Sequence, residues 1–180
     1  MDPGMPRPLR YQPERWMVHF VTMRCLQARH LLRPGDRARD LFVGVLERAA
    51  ELTGCRLHGA CVLSNHLHLV VSSETASHLA DYMQYVAGNV ARELGRLHRW
   101  PGKFWHRRYH ASVCLDDAAQ AERLGYLLAN GPKEGLVRHA RYWPGLHTYG
   151  ATCLGEKIRG IWIDRTAQGE ARQLPPVALI

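Results

Sequence analysis

Two histidines separated by one leucine, His66 and His68, are the residues whose type and spacing point most directly to chemistry. They lie in the segment 65–71, where apolar and other residues alternate as they do in a β-strand. Successive strand side chains point to opposite faces, so the two imidazoles share one face, about 6–7 Å apart. A rigid pair of this kind is typical of a metal site. Two half-exposed histidines on a solvated sheet face would give the same pattern.

A tyrosine and an asparagine four residues apart, Tyr126 and Asn130, form the second candidate pair. On a helix this spacing places both on one face, with Cβ atoms about 5–6 Å apart. Beside a two-histidine metal site, the phenol would supply a nucleophile and the amide a third ligand. The same spacing fits an amphipathic tyrosine next to an asparagine C-cap, so spacing alone leaves both interpretations open.

Residues 103–110 combine positive charge with aromatic rings, the two features that proteins use to bind single-stranded nucleic acids. The candidate DNA-binding residues of this segment are Lys103, Trp105, Arg107, Arg108 and Tyr109. Arg96 and Arg99 at the end of the preceding predicted helix, and Arg15 near the N-terminus, are further candidates for phosphate contacts. An ordinary solvated basic turn and a solvated helix face are the simpler alternatives.

The composition favours a polyanionic partner, because the 180 residues carry a formal net charge of +8. Nucleic acid and an acidic membrane surface both fit that charge. No apolar run approaches the roughly 18 residues of a membrane span, and the N-terminal residues lack the apolar region of a signal peptide. The five cysteines form no Cys-x-x-Cys pair, which argues against a zinc ribbon. We therefore expect a cytoplasmic protein without a membrane partner.

The periodicity predicts an α+β fold with a ferredoxin-like β-α-β-β-α-β order and an antiparallel sheet. Strands are predicted at 16–25, 56–63, 66–71 and 109–115, and helices at 37–53, 76–99 and 118–129. The last of these helices is an addition to the ferredoxin-like unit. Gly54 is expected to end the first helix, and Asp116 or Asp117 to cap the last one.

Three segments, in order along the chain, resemble motifs of one enzyme family. His66-Leu67-His68, preceded by Asn65, resembles the histidine-hydrophobe-histidine (HUH) motif of single-tyrosine transposases. Residues 104–110 resemble the segment that opens the fourth strand in the REP-associated tyrosine transposases, a branch of that family. Residues 126–137 resemble the catalytic helix of the same branch and its Gly-Leu-Val ending, and Trp143-Pro144 matches a pair that often follows.

Two positions depart from the family pattern. The helix asparagine is usually followed directly by proline, whereas here Gly131 stands between Asn130 and Pro132. A proline commonly precedes Asn65, and here the residue is Ser64. Neither position carries a group that would react.

The resemblance implies cleavage of single-stranded or hairpin DNA through a covalent 5′-phosphotyrosine on Tyr126. It also implies a divalent metal, Mg²⁺ or Mn²⁺, held by His66, His68 and Asn130, with Zn²⁺ as the less suitable ion. The family further suggests that the N-terminal region reads a short guide sequence beside the hairpin. A monomer is favoured over a homodimer, and association with the nucleoid is expected.

The resemblance and the composition together divide the chain into three parts. Residues 1–14 are predicted to be a flexible, basic and proline-rich arm, residues 15–137 the HUH transposase-like catalytic domain, and residues 138–180 an extension packed on or near it. Two rival functions remain. A domesticated, non-catalytic hairpin-binding protein would look similar, and a zinc hydrolase would need a third ligand such as His58 or His110.

Overall fold

The computed structural model describes residues 8–163 and 171–173, with side chains described as far as residue 160. Residues 1–7 of the predicted arm, and residues 164–170 and 174–180 of the predicted extension, lie outside the described residues. The strands are β1 (Met17–Arg24), β2 (Arg56–Val62), β3 (His66–Ser73), β4 (His110–Cys114), β5 (Ile161–Ile163) and β6 (Ala171–Gln173). The helices are α1 (Asp36–Thr53), α2 (Ala76–Leu97), α3 (Asp117–Leu128) and α4 (Tyr149–Leu154).

The four long strands form an antiparallel sheet in the order β2-β3-β1-β4. This is the strand order of the ferredoxin-like fold, so the predicted fold class is confirmed.

One row of paired residues across the sheet contains His68. Thr22 in β1 is paired with His68 in β3 and with His110 in β4, and Cys61 in β2 is paired with His68. Residues paired in this way project to the same face of the sheet.

The two faces of the sheet are covered differently. Helices α1 and α2 pack on one face, where Val21, Leu67 and Leu69 join the main hydrophobic core. Helix α3 packs on the opposite face through Leu127, which meets Phe20 and other apolar residues of the strands. The added helix therefore lies on the face of the sheet to which His68 and its paired residues project, and this brings the helix to the histidines.

The ends of the helices follow the sequence signals. Gly54 ends α1 in the left-handed conformation, with φ of +70°. The Asp116 carboxylate caps α3 by accepting a hydrogen bond from the Ala119 amide at 2.7 Å. The cap fixes where α3 begins, and hence the register in which its side chains face the sheet. None of the helices in the described part of the chain is long and apolar enough to cross a membrane.

The described part of the N-terminal arm, residues 8–14, is hydrogen-bonded to the domain. The Gln12 amide nitrogen donates to the carbonyl oxygens of Ser73 and Glu74 at 3.1 and 2.9 Å. The Arg108 guanidinium donates to the Pro8 carbonyl at 2.6 Å. The arm therefore runs from the end of β3 to the segment that enters β4.

The described part of the extension adds to the free edge of β2. The Val62 amide donates to the Leu146 carbonyl, and the Thr148 amide to the Ala60 carbonyl, both at 2.9 Å. The Trp143 indole nitrogen donates to the Val62 carbonyl, also at 2.9 Å. These bonds satisfy backbone groups that an edge strand would otherwise leave open.

Candidate active site

The two histidines of β3 lie together on the face that carries α3. Their ring centroids are 4.9 Å apart, with the planes nearly perpendicular at 87°. His68 is buried and His66 is partly exposed, whereas Leu67 between them points into the opposite core. The side-chain alternation of the strand thus produces the shared face that the sequence predicts.

Each imidazole is held at its Nδ1 atom by a neighbouring side chain. His66 Nδ1 lies 2.6 Å from the Asn65 amide oxygen, and His68 Nδ1 lies 2.9 Å from the Thr22 hydroxyl. Because an amide oxygen only accepts, His66 must carry its proton on Nδ1, and the Thr22 hydroxyl can accept in the same way from His68. Both Nε2 lone pairs are then left to bind a metal.

The electrostatic environment keeps both imidazoles neutral. Burial lowers the pKa of His68 to about 3, and His66 when protonated and the Arg24 guanidinium act in the same direction. Burial also lowers the pKa of His66, where Arg24 lowers it further and Glu134 opposes the shift. A neutral imidazole is the form that binds a metal ion.

Helix α3 brings Tyr126 to the histidine pair. Its ring stands edge-on to His68, with the centroids 5.7 Å apart, and edge-on to Phe20 at 5.8 Å. Phe20 in turn stacks on His68 at 5.2 Å. The Lys133 ammonium lies 4.4 Å from the centroid of the Tyr126 ring. A phenol, two metal-type ligands and a cation therefore meet on one face of the sheet.

Asn130 follows the end of α3 and is buried, with 1% of its surface exposed. Its amide nitrogen donates to the carbonyl oxygens of Tyr126 and Leu127 at 3.1 and 3.4 Å. The amide oxygen is then the atom that Asn130 has left for a ligand. The sequence did not point to His147, whose imidazole is partly buried, and burial lowers its pKa to about 4.

A third ligand of the kind that a zinc hydrolase needs is not assembled. Within residues 8–163 and 171–173, no three side chains of His, Cys, Asp or Glu gather so that they could hold a metal ion. The His58 ring bonds to the Ser72 hydroxyl at 2.8 Å, and His110 is separated from His68 by Thr22 in the strand register. The structure thus gives the zinc alternative no support from these two histidines.

The basic segment 103–109 passes the end of the sheet where the histidines lie. The His106 amide donates to the Arg24 carbonyl at 3.0 Å, and Arg24 is paired with His66 in the strand register. Lys103 and Arg107 are exposed here. The segment that carries these exposed cations therefore runs beside the strand end next to His66.

The aromatic residues of this segment are anchored to the domain. The Trp105 indole nitrogen donates to the Ala87 carbonyl at 2.9 Å, and the ring packs against the main core. The Tyr109 ring is buried and contacts the guanidinium groups of Arg10 and Arg108, whose carbons lie 5.5 and 5.2 Å from its centroid. These contacts fix the backbone that carries the exposed cations.

The remaining predicted DNA contacts lie elsewhere on the domain. Arg96 lies on α2 and forms an ion pair with Glu93 at 3.1 Å, and Arg99 follows the end of the same helix. Helix α2 packs on the face of the sheet opposite to the histidines. Arg15 is exposed and forms an ion pair with Glu74. The structure does not bring Arg96 or Arg99 to the face of the histidine pair.

Comparison with known proteins places these features in a family context. The family model described as "Transposase IS200 like" matches residues 14–124, which include both histidines and end two residues before Tyr126. The chain is similar to the solved structure of a REP-associated tyrosine transposase bound to a REP hairpin, with 15% identity, a TM-score of 0.65 and coverage of 81% of this chain and 83% of that chain. A putative transposase from Deinococcus radiodurans R1 gives 17% identity and a TM-score of 0.46 over 66% of this chain and 94% of that one. No curated protein matches the sequence.

Proposed function

The chain belongs to the family of IS200-like transposases, and from that premise we propose that it is a metal-dependent single-stranded DNA endonuclease and strand transferase that acts at hairpins. One observation carries the proposal. The ring of Tyr126 lies 5.7 Å from that of His68, so the proposed nucleophile shares one face of the sheet with the proposed pair of metal ligands.

The nucleophile in this proposal is Tyr126. Its hydroxyl oxygen attacks the scissile phosphorus, the bond from phosphorus to O3′ breaks, and the DNA is left with a free 3′-OH and a 5′-phosphate on the tyrosine. Rejoining reverses these steps with a 3′-OH as the attacking group. Because the phosphotyrosine conserves the energy of the phosphodiester bond, strand transfer needs no ATP.

The residues present suit a divalent cation. The amide oxygen of Asn130 would hold it together with the Nε2 atoms of His66 and His68, which are unprotonated when each ring carries its proton on Nδ1. Two imidazole nitrogens and an amide oxygen fit Mn²⁺ well and Mg²⁺ less well on ligand softness. The family resemblance, and not the donor set, ranks Mg²⁺ and Mn²⁺ ahead of Zn²⁺. When bound, the metal would polarise the scissile phosphate and stabilise the charge that develops on it.

The proposed DNA partner follows from charge and placement. The net charge of +8 favours a polyanion, and Lys103 and Arg107 are exposed beside the end of β1 that is next to His66. These cations are proposed to contact phosphates, while Trp105 and Tyr109 hold their segment in place. We propose that the protein acts as a monomer on nucleoid DNA in the cytoplasm.

The experiment that tests this function is incubation of the protein with labelled single-stranded hairpin DNA and Mn²⁺, followed by denaturing gel electrophoresis. The wild type should give a covalent protein–DNA band that chelation abolishes. Tyr126→Phe keeps the ring but lacks the attacking oxygen, so it should bind the hairpin and give no band. Tyr142→Phe, which changes an exposed tyrosine outside the site, is the matched control and should react normally.

Two results would contradict the proposal. A covalent band with Tyr126→Phe would mean that another tyrosine is the nucleophile. Hairpin binding by the wild type without any covalent band, in Mn²⁺ and in Mg²⁺, would favour the non-catalytic binding protein.

A further inference from the structure

The chain reverses direction directly after α3 in a compact hydrogen-bonded turn. The Lys133 amide donates to the Ala129 carbonyl at 3.0 Å, and the Leu136 amide to the Gly131 carbonyl at 2.9 Å. Gly131 has φ of +92°, which L side chains rarely adopt, and a Cβ at this position would meet Val137 Cγ2 at 3.2 Å. Gly131, the residue that separates Asn130 from Pro132, is therefore what permits the turn.

The turn places a cation beside the proposed nucleophile. The Lys133 ammonium lies 4.4 Å from the centroid of the Tyr126 ring, in cation–π contact, although the two residues are seven positions apart. The lysine is exposed, and no carboxylate within residues 8–160 lies at ion-pair distance from it. Its charge is thus open to an incoming anion next to the Tyr126 ring.

We propose that Lys133 is a further catalytic residue, whose ammonium contacts a non-bridging oxygen of the scissile phosphate while Tyr126 attacks. This inference rests on the proposed function, since the phosphate must approach the phenol oxygen for the reaction to occur. A phosphate next to the Tyr126 ring is also next to Lys133, because the ammonium already contacts that ring. A fixed cation at this position stabilises negative charge as it develops in the displacement.

The step balances without proton transfer by the lysine. The bond between the Tyr126 oxygen and phosphorus forms, the bond from phosphorus to O3′ breaks, the phenolic proton passes to solvent, and O3′ takes a proton from solvent. Lys133 keeps its three protons and acts through its charge. A side chain of similar length without charge should therefore fail, and another cation should substitute for it.

The test compares Lys133→Met, Lys133→Arg and a control, Lys157→Met, in single-turnover adduct formation with hairpin DNA and Mn²⁺. Lys157 is exposed and next to Ile158, which packs against the main core on the other side of the sheet. Lys133→Met should slow the reaction at least about tenfold. It should weaken hairpin binding in the presence of chelator by a smaller factor, since the contact is strongest in the transition state. Lys133→Arg should keep most of the rate, and Lys157→Met all of it.

Three results would overturn the inference. Lys133→Met could react at the wild-type rate, it could lose rate and affinity by the same factor, or Lys133→Arg could be as slow as Lys133→Met. A wild type that forms no adduct would instead refute the proposed function, and the inference with it. Melting temperatures of the variants, measured beside the rates, separate loss of charge from loss of fold.

Discussion

Replacing Thr22 with valine should weaken metal binding without disturbing the sheet. Valine has nearly the shape of threonine but lacks the hydroxyl, which lies 2.9 Å from His68 Nδ1. Loss of such a partner of a metal-binding histidine typically lowers metal affinity about 10- to 100-fold, or about 1.4–2.8 kcal/mol of binding free energy. The histidine ring would lose both its orientation and the preference for a proton on Nδ1.

The same substitution should also lower the stability of the metal-free protein. His68 is buried, so a ring nitrogen that loses its hydrogen-bond partner is not compensated by water. Leaving a buried polar group unsatisfied costs about 1–3 kcal/mol of unfolding free energy. The two effects have one cause and should appear together.

Calorimetric titration with Mn²⁺ measures the first effect, and denaturant unfolding in chelator measures the second. Thr22→Ser keeps the hydroxyl and is the matched control, which should bind Mn²⁺ nearly as well as the wild type. If Thr22→Val bound Mn²⁺ within twofold of the wild type, the Thr22 contact would have no part in forming the metal site.

Three further predictions concern the histidines and the basic segment. His66→Ala and His68→Ala should each abolish metal-dependent cleavage. Both variants should keep the circular dichroism spectrum of the wild type, because both side chains point away from the α1–α2 core. Loss of the fold would argue for a core role. In chelator, protonation of His68 alone should lower the stability by about 2 kcal/mol between pH 7 and pH 5, since the folded-state pKa of His68 near 3 lies below that of the unfolded chain, which therefore binds the proton first. The lowered pKa values of His66 and His147 add to the loss in the same direction. Unfolding at pH 7 and pH 5 should show this loss in the wild type and a smaller one in His68→Ala. Arg107→Ala should reduce the slope of log K against log salt for hairpin binding by about 0.7, and an unchanged slope would exclude a phosphate contact.

The fold and the placement of the two histidines follow from local sequence patterns. Period-two alternation places His66 and His68 on one face and Leu67 in the core, and the signals at Gly54 and Asp116 mark real helix ends. These features depend on residues close in sequence, and this is why the sequence predicts them.

Features that depend on long-range register could not be predicted in the same way. The contact of Thr22 with His68 exists because β1 pairs with β3 in one particular register, and 46 residues separate the two. The position of Lys133 depends on the reversal at Gly131, which the sequence presents only as a departure from a family pattern. Composition also cannot distinguish a ring that is free to stack on bases from one, such as Tyr109, that is buried beneath two arginines.

The central claim is that Tyr126 forms the covalent bond to DNA, and peptide mapping of the adduct tests it most directly. Trypsin cuts after Arg123 and Lys133, and the peptide between these cuts contains Tyr126 as its one tyrosine. After nuclease trimming of the adduct formed with hairpin DNA and Mn²⁺, mass spectrometry should find the nucleotide on this peptide, linked through its 5′-phosphate. A nucleotide on any other tyrosine peptide, or a linkage through a 3′-phosphate, would contradict the account.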